Sequence, residues 1–177
     1  MVQPAKRASL MPIPPIDQHT QVFEAGRVSI GVEYRLLSND IVEKSANNQG
    51  KRLDDDANFD DRGVSVHVYV KSDDGERAER LRFDCFAEGP HYHYVDWNAE
   101  SNEIVLMDPV ADGDPLAWTL DRIRTRLPQM LARAGVGNWS DGIDIGAIES
   151  LLPRVAEAAY RARYEHDDAA TLNAALR

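Results

Sequence analysis

A chain of 177 residues, 43% hydrophobic and 28% charged, is long enough to bury a core without disulfides or a structural metal. Its formal net charge of -10 excludes a general nucleic-acid binder, whose field would need the opposite sign. The single cysteine, Cys85, rules out a disulfide framework and a multi-cysteine zinc site, and it fits a reducing compartment.

Residues 1–20 read as an extended arm. The stretch Met11-Pro12-Ile13-Pro14-Pro15-Ile16 has polyproline character, with apolar groups to pack on its own domain or on a neighbouring subunit. Lys6 and Arg7 precede an apolar run that the prolines break. It is too short for a signal peptide or a membrane span, so a cytoplasmic protein is expected. Residues 21–177 are expected to form one α+β domain, with strands within 27–108 and helices within 114–176.

From Arg27 to Leu37, Val28, Ile30, Val32, Tyr34 and Leu36 alternate with Arg27, Ser29, Gly31, Glu33 and Arg35, which predicts a half-buried strand. Residues 38–62 break the period and carry five aspartates from Asp54 to Asp61. They read as a long, solvated acidic loop without the spacing or closing glutamate of an EF-hand. A second strand, Gly63–Lys71, sets Val64, Val66, Val68 and Val70 against Ser65, His67, Tyr69 and Lys71. Asp74-Gly75 marks a hairpin turn. A third strand, Arg77–Ala87, opposes Leu81, Phe83, Cys85 and Ala87 to Arg80, Arg82, Asp84 and Phe86. A fourth runs from His91 to about Trp97 after Gly89-Pro90, and a short fifth covers Glu103–Asp108. Short turns between them predict an antiparallel meander of about five strands.

The period then becomes helical. Asp114-Pro115 is an N-cap followed by proline at the first helical position, and Leu116, Leu120, Ile123, Leu127, Met130 and Leu131 follow on one face. Pro128 is expected to kink or divide this helix, and Gly135 and Gly137 to end it. A second helix starts near Asp144, with Pro153 as a point of division, and Asp167 caps a short last helix. Trp139, in a polar loop, marks a contact surface. The layout is α+β, with C-terminal helices packed on one face of the sheet and the other face open to solvent, ligand or partner.

The chemistry concentrates in Gly89–Trp97. His91 and His93 are two apart and share a strand face. If the apolar sets face the helices, Glu33, His67, Tyr69, Arg82 and Asp84 occupy the opposite face. Should His91 and His93 join them, Glu33, His67, His91 and His93 form a candidate site for a divalent metal, with Asp84 as an alternative carboxylate. In these residue types alone, His-x-His with a glutamate and a third histidine is similar to the metal site of cupin barrels. The family's glycine motifs, residue order and all-β C-terminal part are missing. In the opposite register, Tyr92, Tyr94 and Asp96 join the open face and the two histidines become core. Two functions follow. One is binding of a small ligand or partner subunit through Tyr69, Arg82, Asp84, Tyr92, Tyr94 and Asp96, including homo-oligomers. The other is a metal-dependent hydrolase or oxygenase-like enzyme. Metal-free acid–base catalysis by a His91 or His93 pair with Asp84 or Asp96 is a third. Cys85 falls in an apolar set and reads as an inert thiol.

Overall fold

The computed structural model describes residues 5–136 and 142–175. Strands β1 (Lys6–Arg7), β2 (Gln21–Ala25), β3 (Val28–Ser38), β4 (Asp60–Lys71), β5 (Arg77–Phe86), β6 (His91–Asp96) and β7 (Ser101–Leu106) form one sheet. Its order is β1-β7-β6-β5-β4-β3-β2, and every neighbouring pair is antiparallel. The helices are α1 (Asn39–Asn48), α2 (Pro109–Asp112), α3 (Pro115–Leu131) and α4 (Ile145–Ala175). The α+β meander therefore has seven strands, where the alternation predicts about five. The additional two are β1, only two residues long, and β2, in which only Phe23 and Ala25 are buried.

The helix-facing side is the one the valine pattern predicts. Val28, Ile30, Val64, Val66, Val68, Leu81 and Phe83 are all inaccessible and pack with Leu116, Ile123, Leu127, Ile148 and Val155. Burying each such side chain contributes about 1.5–3 kcal/mol. The Asp114 carboxylate accepts from the Ala117 amide at 2.9 Å, with Pro115 at the first helical position. Gly135, at φ 81°, terminates the turn that follows α3.

Four expectations about helices are corrected. Residues 38–62 are not all loop: Ser38 caps α1, whose buried side is only Val42 and Ala46. Two buried apolar positions, beside an exposed Ile41, are too faint a period to read in a ten-residue helix. Pro128 does not divide α3, which runs on to Leu131, and α4 continues through Pro153 and past Asp167 as one helix. An interior proline forfeits a hydrogen bond at a cost of about 3 kcal/mol. In α4, Ile148, Leu152, Val155 and Ala159 bury themselves on both sides of Pro153 and offset it. Trp139 and Gly137 lie outside the described residues.

The second face of the sheet is not open. The arm and α1 cover it, leaving Glu33 1% and His67 0% exposed. A polyproline segment satisfies none of its own carbonyls, so they are free to accept. Arg82 Nη1 donates to the Ile13 carbonyl at 2.7 Å, Arg35 Nη2 to Ile13 at 3.1 Å, and Asn102 Nδ2 to Leu10 at 2.8 Å. The Ile16 amide donates to Glu33 at 3.2 Å. Gln49, which follows α1, pairs with both backbone groups of Met11, at 2.8 and 3.1 Å. The polar pattern that suggests solvent instead reflects side chains paired with one another and with the arm.

Candidate metal centre and its cavity

The covered face carries a polar network across three strands, β3, β4 and β5. At its centre His67 lies between two carboxylates, Nδ1 at 2.6 Å from Glu79 and Nε2 at 3.2 Å from Glu33. Arg82 grips Glu79 with two parallel bonds of 2.8 and 2.9 Å, and Arg35 reaches Glu33 at 3.4 Å. Burial by itself would raise the Glu79 carboxyl, but Arg82 and His67 hold it down at about 2. Glu33 is likewise held below its usual value: desolvation raises it, but His67 and Arg35 outweigh that effect.

Glu79 and Arg82 are three apart and would stand on opposite faces of a regular strand. A bulge lets them meet. Val68 pairs with Leu81, but Tyr69 pairs with Glu79, leaving Arg80 as the extra residue. Arg80 thereby leaves the polar set predicted for it and pairs with Asp96 at 3.1 Å.

Next to this network stands the one group of three or more metal-competent side chains among the described residues: Asp84, His91 and His93, whose ligand atoms lie within 4.8 Å of one another. The register Asp84↔His91 and Arg82↔His93 puts both histidines on the covered face, away from the helices. His91 Nδ1 is 2.7 Å from the Gly89 carbonyl, which only accepts, so that nitrogen carries a proton. Asn102 spends its amide N–H on Leu10, leaving its oxygen 2.8 Å from His93 Nδ1, which is therefore also a donor. Both Nε2 atoms then turn to Asp84 Oδ2, at 3.1 Å from His93 and 3.4 Å from His91. In neutral rings these would be two lone pairs facing a carboxylate oxygen. A cation, proton or metal ion, has to lie between them. Ligands bonded at about 2.1 Å and set 90–109° apart are about 3.0–3.4 Å from each other, which matches both separations.

The remaining Asp84 oxygen accepts from the Ser65 hydroxyl in a short bond. Desolvation opposes ionisation of Asp84, yet His91 and His93 hold its carboxyl well below the usual range. Desolvation also opposes charge on His91, but Asp84 outweighs it and raises the imidazole above its ordinary value of 6.5. The centre opens on a cavity of about 410 Å3 between the sheet, the arm and α1, with Arg82, Asp84, His91 and His93 in its wall.

Of the residues singled out in the sequence, Asp84, His91 and His93 converge. Glu33 and His67 belong to the adjoining ion-pair network rather than to this trio. Tyr69 is buried on the same face, under the Arg77 guanidinium at 4.9 Å, and does not reach the cavity. Tyr92 and Tyr94 face the helices: Tyr92 packs on Phe83 and Trp118, and Arg133 lies 3.8 Å over the Tyr94 ring. Asp96 accepts from the Asn98 and Ala99 amides and closes a turn. Sequence reasoning missed Glu79, hidden by the bulge, and Asn102, in a strand predicted to begin one residue later.

Residues 22–159 match the family described as Domain of unknown function (DUF7700), and the chain belongs to that family. The match includes Asp84, His91 and His93 and excludes the arm. No curated protein and no solved structure matches the chain.

Proposed function

We propose, from the site alone since the family carries no assigned activity, that this chain is a metal-dependent enzyme acting on a small molecule. Asp84, His91 and His93 would hold one divalent ion. The observation that carries the reading is the convergence of two Nε2 atoms, each fixed by a carbonyl behind its Nδ1–H, on one carboxylate oxygen. Carbonyl partners of this kind are what orient metal-bound imidazoles. Structural zinc sites are closed by four protein ligands, whereas three ligands beside a cavity leave positions for water or substrate. Two imidazoles and a carboxylate suit zinc, iron(II) or manganese(II). The bound ion would supply Lewis acidity. The chain's residues set the ligand orientation, exclude bulk water with the arm, and hold charge beside the cavity through Arg35 and Arg82.

The reading as a partner-binding subunit has less support, because the arm that would reach another chain lies on its own sheet. Protein purified without a histidine tag should contain about one equivalent of zinc, iron or manganese per chain. The double variant His91→Gln/His93→Gln should lose it. Native protein that carries no metal and shows no thermal shift with any of the three ions would overturn the proposal.

A further inference from the structure

The cavity beside Asp84, His91 and His93 has a charge pattern opposite to that of the chain. Four cationic residues line it (Lys6, Arg7, Arg35 and Arg82) against one carboxylate, Asp84, in a protein of net charge -10. Lys6 pairs in β1 with Ile104, a cavity residue of β7, and so stands on the cavity side of the sheet. Deeper in, Glu33 and Glu79 offset Arg35 and Arg82 one for one. Asp84 is then the sole charge set against a divalent ion. Counted over the ion, the carboxylates and the guanidiniums, the loaded centre retains a net charge of about +1 in a desolvated place, and an unpaired buried charge is costly. An anionic ligand would remove that cost.

Most of the remaining wall is apolar, including Leu10, Leu37, Val42, Phe59, Phe86 and Ile104, with Ser9, Ser45 and Asn102 as its uncharged polar members. At about 410 Å3 the space is at the small end of ligand pockets, which span roughly 300–1,000 Å3. A phosphate fits poorly. It would bring a second negative charge and need several donors, whereas both terminal nitrogens of Arg35 and all three nitrogens of Arg82 already donate to Glu33, Glu79 and the Ile13 and Pro14 carbonyls.

We infer that the cavity takes a small monocarboxylate with an apolar body. The carboxylate completes the coordination of the ion, and the alkyl or aryl part lies between β7, α1 and the arm. This rests on the metal reading above, and the test keeps the two apart. The metal content of the full chain is measured first. The loaded protein is then titrated calorimetrically with octanoate and 3-phenylpropanoate, and with their uncharged amides.

The expected result is carboxylate binding at least about tenfold tighter than amide binding, a difference of about 1.4 kcal/mol. Ile104→Trp, which fills the apolar end, should weaken carboxylate binding by about tenfold or more with metal content unchanged. Lys6→Glu, an exposed charge reversal that leaves the core untouched, should weaken it several-fold and most at low salt. Metal-replete protein that binds neither carboxylate, or binds acid and amide alike, overturns this inference and leaves the metal centre standing. Protein that holds no metal removes both.

Discussion

Replacing Asp84 by asparagine separates the role of the carboxylate as an anion from its role as a spacer. In the metal-free protein the wild-type carboxylate faces Nε2 of His93 at 3.1 Å and of His91 at 3.4 Å, and it accepts a charge-assisted bond from His91, whose imidazole it raises above 6.5. Such bonds are worth about 1.5–3 kcal/mol each, against about 1 kcal/mol for neutral ones. The amide introduced by D84N could keep its oxygen on Ser65 and offer two N–H groups to two neutral imidazoles. D84N should therefore fold, and the exchange should cost about 1 kcal/mol where His91 is charged.

The sign of the pH dependence follows from the two shifts. Asp84 is lowered below 3.8 in the fold, so its contribution is present above that value and fades as pH falls through the lowered one. His91 is raised above 6.5, so its contribution is complete below 6.5 and fades as pH rises through the raised value. Metal-free wild-type protein should thus lose stability as the solution turns alkaline, while D84N should not, and the gap between them should close. Metal reverses the trend for the wild type. The ion displaces a proton, so affinity should increase with pH up to the His91 value. D84N should lose more than about 100-fold in affinity, since removing even an outer-shell partner costs 10–100-fold. Urea unfolding from about pH 5 to 9, with and without zinc, and chelator competition measure both effects. A D84N protein with wild-type zinc affinity, or a metal-free wild type whose stability relative to D84N is flat across this range, would refute the reasoning.

Zinc or manganese at about 100 times its dissociation constant should stabilise the wild type by about 2.7 kcal/mol, or roughly 5–11 °C in Tm by calorimetry. Arg82→Met should destabilise by about 3–5 kcal/mol in urea titrations, because it strips two bonds from buried Glu79 and releases the Ile13 carbonyl. In that variant the arm should be cut sooner by protease, and cleavage no faster than in wild type would show that Arg82 does not hold it. The Cys85 thiol is pushed up to about 12 by burial and lies 3.4 Å from Thr119 Oγ1. It should resist alkylation at about pH 8 until the protein is unfolded, and rapid native labelling would contradict its placement.

Alternation was enough to place β3, β4 and β5, because one face of each carries valine, isoleucine, leucine or phenylalanine and a slip of one residue would expose them all. Asp114-Pro115 likewise announced α3, since capping is a local matter of one side chain and the nearest backbone amides. The sharing of a face by His91 and His93 also follows from their spacing. Which face it is does not, because Tyr92, Tyr94 and Val95 are apolar enough to support either choice. The pairing of His91 with Asp84 in the sheet settles it.

The chemistry of the covered face is a tertiary result. Polar residues on a strand look the same whether water or protein satisfies them. Here the carbonyls of a proline-rich arm do so, as in the bond from Arg82 to Ile13, 69 residues away in sequence. The bulge at Arg80 that delivers Glu79 to Arg82 and His67 leaves no mark in the residue pattern. Sequence determined the sheet, its apolar face and the residue types that chemistry would need. Folding decided which of them meet, because hydrogen-bond partners and charge neighbours are set by distance through space rather than by separation along the chain.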